Sequence, residues 1–284
     1  MRQALLFGLV VAVGCTSSKP KDAPAPAPEA PAEAPAPAPA PVPEPAAEPE
    51  KPKPARAGAA RPEAPYPLKA LTAVTADTEI QELLVKLGKS GGSKRIRKSF
   101  EAKGKAGKEA LMNALRATDS NIRAQSATVM NRMNIKSRRF SQALDEMLLS
   151  DPDPDVRGIA GRVLVYYQRH KMRHNTAALI EALQKDTTEA VRMHAAWALG
   201  ASHDKKGTQA LIKALDDEFT DVRLRTVGAL KRIKAGKAAP HVALRLEDTN
   251  TLVRERAHDA LKALTGKDWG PDAKRWQKAY PVRN

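Results

Sequence analysis

The chain has 284 residues, with 48 Lys and Arg against 32 Asp and Glu, for a formal net charge of +16 at pH 7. Its one cysteine excludes an internal disulfide framework. A balance this basic attracts anions over a Debye length of ~8 to 10 Å regardless of their sequence, so the class of partner depends on the compartment.

The compartment is addressed by the N-terminus. Met1, Arg2 and Gln3 precede an apolar run from Ala4 to Val13, and Gly14-Cys15 follows at once. A short positive segment, a hydrophobic stretch and a small residue before the cut predict a secretory signal over residues 1–14, too short to span a bilayer as a helix. Ala12-Val13-Gly14-Cys15 also resembles the lipobox of bacterial lipoproteins, although Ala12 stands where that family usually has leucine. The resemblance implies cleavage before Cys15 and acylation of its thiol. Thr16 is not the aspartate that holds enteric lipoproteins in the inner membrane, so the implied location is the outer membrane, facing the periplasm. Several acyl chains, at ~0.8 kcal/mol per buried CH2, make a stable anchor. The competing reading is an ordinary signal with a chance cysteine.

Between Lys19 and Pro67 lie 17 of the 22 prolines, mostly in Ala-Pro and Glu-Pro alternation. Proline fixes φ and removes a donor, so residues 15–67 are expected to be a disordered linker with polyproline character. At ~3.1 Å per residue, about 45 residues of it reach on the order of 140 Å when fully extended. A role as ligand for an aromatic groove is the alternative.

Residues 16–66 carry six basic and seven acidic side chains, which Arg2 balances, so the +16 resides on residues 67–284. Its densest stretch runs from Lys86 to Lys108, with Lys94, Arg95, Arg97, Lys98, Lys103 and Lys105 at its centre. Glycines 88, 91, 92, 104 and 107 suggest a loop around a short helix, within an N-terminal helical cap over residues 68–104. After export the available polyanions are cell-wall polymer, lipopolysaccharide and anionic headgroups, and nucleic acid is set aside. The plain alternative is that the charge only keeps a long helical domain in solution.

Then a phrase recurs five times: a turn bearing Asp or Asn, an aliphatic residue joined to Arg, and a small residue three positions after that Arg. The arginines are Arg123, Arg157, Arg192, Arg223 and Arg254, spaced 34, 35, 31 and 31 residues apart. A period of this size marks a stacked repeat. Upstream of each arginine is an apolar stretch of helical period, for example Leu179, Ile180 and Leu183. Downstream is a second one, for example Val191, Ala195, Ala198 and Leu199. Turn and capping residues such as Asp186, Thr187 and Thr188 separate them. Each period is thus a helical hairpin. An arginine beside an aspartate in every unit suits a structural ladder that ties successive turns together better than a row of phosphate ligands.

Asp186 to Leu199 and Asp221 to Leu230 resemble HEAT-like repeats of the phycobilisome-lyase type, with their Asp turn and Val-Arg-x-x-Ala-x-x-Ala-Leu closure. The resemblance covers about residues 105–264, and the first copy departs from it at Ile122, Ser126 and Met130. It implies an all-α, right-handed α-solenoid of about five hairpins. In such solenoids the second helices line the concave side. Counting from each valine, that face carries Arg162, Met193, Trp197 and Leu224; Trp and Met are typical anchors at binding surfaces. Packing of Trp197 between repeats is the other reading. Residues 265–284, with Trp269, Trp276 and Tyr280, read as a cap over the last repeat's apolar face, with a carbohydrate platform as the alternative.

Catalysis finds little support in the motifs. The repeat class includes phycobilin lyases and di-iron hydroxylases, but none of the six histidines is followed by Glu, the dipeptide by which the hydroxylases hold metal. His170 and His174 share a helical spacing but sit among Arg169, Lys171 and Arg173, which oppose a cation. No phosphate loop or nucleophile elbow is present. The expectation is a chain with no enzymatic activity, metal or cofactor: a lipid-anchored scaffold or adaptor of the bacterial envelope that binds a protein partner. Its alternative is a binder of anionic envelope polymer through residues 86–108, and a more remote one is a lyase or metal-dependent oxygenase.

Overall fold

The computed structural model describes residues 68–169 and 176–282. The expected signal, Cys15, the proline-rich stretch, His170 and His174 all lie outside the described residues.

Fourteen α-helices are described, with no strand among them and one isolated parallel bridge between Lys69 and Ala117. Three helices come first: α1 (Leu71–Val74), α2 (Thr78–Ser90) and α3 (Lys94–Ala102). Five hairpins follow: α4 (Gly104–Ala114) with α5 (Ser120–Arg132), α6 (Arg138–Ser150) with α7 (Pro154–Arg169), α8 (Thr176–Lys185) with α9 (Glu189–Ser202), α10 (Thr208–Ala214) with α11 (Thr220–Arg232), and α12 (Ala239–Leu244) with α13 (Thr251–Thr265). A last helix, α14 (Ala273–Ala279), packs on α12. The architecture is an α-solenoid.

Side chains set the helix starts. Asp119 accepts from the Ile122 N–H at 3.1 Å, Ser137 from Phe140 at 3.1 Å, and Asn250 from Leu252 and Val253 at 2.9 and 3.4 Å. Three of the inner helices are followed by a non-glycine residue in the left-handed region: Asn134 after α5, His203 after α9 and Lys234 after α11.

The second helices pack on one another more closely than the first helices do, which makes theirs the inner row. Small side chains permit this: Ser126, Ala160, Ala195, Thr226 and Ala257 are all fully buried. At Gly200 even a methyl is too much, because a Cβ there would stand 2.7 Å from the Cα of Ala229 on α11.

Residues 86–108 differ from expectation. They form the end of α2, all of α3 and the start of α4, broken only near Gly91–Ser93 and Lys103. The glycines serve packing as well as turns. Ser93 caps α3, and a Cβ at Gly107 would strike the Phe100 carbonyl at 2.4 Å, so α4 can close on α3 only with glycine there.

The far end is closed by aromatics. Trp276 is fully buried and donates its indole N–H to the Gly270 carbonyl at 2.8 Å, with Trp269 at 4.8 Å and Tyr280 at 6.0 Å between ring centroids. Among the described residues no helix is long and apolar enough to cross a membrane.

Candidate functional site

The repeated arginines form a connected series. Arg123 donates Nε and Nη2 to Asp151 at 2.8 and 2.7 Å, Arg157 to Asp186 at 2.8 and 3.2 Å, Arg192 to Asp217 at 2.7 and 3.0 Å, and Arg223 to Asp248 at 2.8 and 2.9 Å. Each aspartate belongs to the next repeat. Each arginine also sends Nη1 back to two carbonyls of the turn before its own helix, such as Asp186 and Thr187 for Arg192. The same aspartates accept a backbone N–H of their own turn, such as Thr188 to Asp186 at 2.9 Å. Register therefore passes from one repeat to the next through bidentate pairs. Arg254 has no next aspartate among the described residues and bonds only the Asp248 and Thr249 carbonyls and the Thr251 hydroxyl.

With those guanidiniums occupied, the inner face is left to other side chains. Arg162 on α7 is exposed and makes no ion pair among the described residues, while Met193, Trp197 and Leu224 are half-buried. The Arg225 guanidinium lies 4.6 Å above the Trp197 ring, a cation–π contact across α9 and α11. Two hollows meet at Arg162. One, of about 340 Å3, is bordered by Gln125, Ile159, Arg162 and His194; the other, of about 350 Å3, by Thr128, Arg132, Arg162, Tyr166 and Trp197. His194 is held neutral down to about pH 4, first by burial and then by Arg162 and Arg225. Carboxylates gather at the starts of the inner helices. There burial and the neighbouring Asp221 raise the Glu189 carboxyl above its ordinary value, against the pull of Arg192.

Arg225, His194, Arg132 and Tyr166 belong to this face and are not among the residues that the sequence pattern selects. The missing signal is angular. At about 100° per residue, positions three and ten after the repeat valine fall on the same side as positions two and six.

The basic segment is partly self-satisfied. Lys103 pairs with Glu79, whose hydrogen bond raises the ammonium above its ordinary value; Arg97 lies 3.8 Å from Glu101 and donates to the Arg132 carbonyl. Lys94, Arg95, Lys98 and Lys105 are exposed.

Four of the five hairpins carry a Val-Arg near the start of the second helix, and the first carries Ile122-Arg123 there. Residues 176–262 match the family model of HEAT repeats. Among solved structures, a chain in the complex of CpcE and CpcF of phycocyanin lyase from Nostoc sp. PCC7120 is 23% identical, over 61% of this chain and 68% of that one, with a TM-score of 0.50. A designed armadillo repeat protein in complex with the peptide (KR)4 is 16% identical, over 68% and 97%, at 0.48, and an engineered protein is 21% identical, over 70% and 96%, at 0.48. No curated protein matches the chain in sequence.

The Nostoc comparison corrects one expectation. The expectation of no enzymatic activity rests on missing catalytic motifs, yet the same fold serves a phycocyanin lyase. Absence of those motifs therefore does not exclude catalysis on HEAT-like hairpins. The arrangement itself offers an extended, side-chain-lined inner surface, which suits a HEAT-like solenoid to binding protein.

Proposed function

We propose that the chain is a scaffold or adaptor, anchored in the bacterial envelope through acylated Cys15, whose solenoid takes a protein partner on its inner face. The observation that carries this reading is the strip of Arg132, Arg162, Trp197 and Arg225, with Met193 and Leu224 beside it. Arginine and tryptophan are the residue types that anchor interfaces. The three arginines are exposed, and Trp197 is half-buried beneath the Arg225 guanidinium. The anchor supplies position and the proline-rich stretch supplies reach.

Affinity capture from detergent-solubilised envelopes tests it. The full chain retains a protein that the Trp197→Ala and Arg162→Ala variants lose, while all three melt alike. Equal capture by wild type and both variants contradicts the reading. The anchor is checked separately: Cys15→Ser moves the protein from the membrane fraction to the soluble one, and retention in the membrane refutes acylation.

A second reading has its own observation, the exposed Lys94, Arg95, Lys98 and Lys105. It assigns the segment to an anionic envelope polymer. Binding of that kind weakens steeply with ionic strength and is lost on charge reversal at these four positions.

A further inference from the structure

We propose that the C-terminal end of the solenoid is a second interaction surface, on which Arg254 takes an aspartate from the start of a helix in another protein. This surface is separate from the inner strip.

The four internal pairs define what such an arginine receives. In each of them Nη1 is held by two carbonyls of the turn before its own helix, and Nε and Nη2 then meet a carboxylate of the next repeat. Arg254 is held in the same way, with Nη1 on the Asp248 and Thr249 carbonyls at 2.8 and 3.1 Å and Nη2 on the Thr251 hydroxyl at 2.9 Å. Its Nε has no partner among the described residues. The carboxylates nearby do not fill the fork. Asp248 takes Arg223, Asp268 takes His258 at 3.0 Å and Lys262 at 2.6 Å, and Glu255 makes no ion pair among the described residues. A guanidinium whose orientation is already fixed loses little freedom on taking a carboxylate.

The rows of helices are incomplete on the same side. Helices α8, α10, α12 and α14 begin at residues 176, 208, 239 and 273, so α14 stands one period after α12, and it packs on α12 as α8 packs on α6. It is a sixth outer helix, and among the described residues no inner helix follows α13. The step from 208 to 217, or from 239 to 248, reaches a ladder aspartate; the same step from 273 reaches Val282. Four residues after the ladder arginine, α9 and α11 bury Ala196 and Val227, whereas α13 carries the half-buried His258 there. The open side of α13 is thus a polar stripe of Arg254, His258 and Lys262, in which only the Arg254 charge is unpaired.

The acceptors within the chain indicate the occupant. Asp186, Asp217 and Asp248 each stand two residues before the N-cap of an inner helix and accept that residue's N–H, from Thr188 at 2.9 Å, Phe219 at 3.0 Å and Asn250 at 3.0 Å. The partner therefore offers an aspartate just ahead of a helix, set by the same Asx turn. A second copy of this chain does not supply one. Its ladder aspartates are engaged, the first hairpin has Ala117 at that place, and the end formed by α2 and α3 presents Lys94, Arg95 and Lys98, which repel Arg254.

The test is site-specific photocrosslinking in the cells that make the protein. Benzoylphenylalanine replaces Glu255, one residue from the fork, in the full-length chain. The expected result is an adduct with one other protein, in which mass spectrometry of the joined peptides finds an aspartate at a helix start. Arg254→Lys keeps the charge but not the fork and lowers the yield roughly tenfold, while Trp197→Ala leaves it unchanged. Should Arg254→Lys fail to fold, Asn at the mapped aspartate gives the same loss on an unaltered solenoid. The proposal is overturned by the absence of an adduct, by an adduct between two copies of this chain, by a yield indifferent to Arg254→Lys, or by a joined segment without an aspartate. A yield that falls with Trp197→Ala and not with Arg254→Lys means that the probe meets the inner-face partner, so the end surface falls and the inner-face reading stands.

Discussion

Arg157 and Asp186 are 5% and 3% exposed, and each is the other's main charged partner. Removing one strands the other in a medium that solvates it poorly. We therefore expect Arg157→Ala to destabilise the protein by about 3–5 kcal/mol in chemical denaturation. Arg254, with carbonyl and hydroxyl acceptors only, should cost about 1 kcal/mol. Equal losses at the two positions would mean that the carboxylate partner adds nothing. The intact pairs contribute less than their breakage costs, because desolvation offsets most of their attraction; what they fix is register. Burial pushes the Asp248 carboxyl up, but the hydrogen bonds from Arg223 and the Asn250 N–H outweigh it and leave the group below its ordinary 3.8. A depressed folded value stabilises the protein at pH above the unfolded one and loses that contribution as pH falls through the folded one. Midpoints measured from pH 6 to pH 2 should hold until about pH 4 and then fall, less steeply in Asp248→Asn.

The inner helices depend on close approach. Gly200→Leu forces α9 and α11 apart at Ala229, with an expected loss of about 1–3 kcal/mol, and hydrogen exchange should accelerate in α11 and α13 before α5. Lys234 holds a left-handed exit after α11 at φ 53°, a conformation that suits glycine better. Lys234→Gly is expected to leave stability unchanged or raise it by up to about 1 kcal/mol, which a denaturant midpoint will show. At this scale much was legible beforehand. An aliphatic-Arg pair every 31 to 35 residues with a capping residue before it marks where each second helix begins, because N-cap chemistry is local. The first helix of the last repeat is expected from Val242, Leu244 and Leu246 as one apolar face, and the helix is there but the shared face is not. Val242, Leu244 and Leu246 are spaced by two, and the structure turns the chain into a 3-10 turn at Arg245–Glu247, burying Val242 and Leu246 and leaving Leu244 exposed. Of the inner face, Arg162 and Trp197 were legible from repeat position, and Arg225 was not. Its place over Trp197 depends on how two neighbouring helices sit side by side, which no single helix's periodicity contains.

A solenoid taken whole is held by neighbours, so its ends matter most. Trp276 closes one end, and Trp276→Ala should cost about 3–5 kcal/mol if the last hairpin unfolds with the rest; fraying confined to α12 and α13 would instead show as a separate early transition. The face left over, between the ladder at the turns and the small residues packed within, is where we propose that this molecule meets a partner. Hydrogen-exchange footprinting of the full chain with its captured envelope protein bound tests that claim most directly. Slowed exchange is expected along α7, α9 and α11, with α6, α8 and α10 unchanged. Protection confined to α3, or to the outer helices, would contradict it.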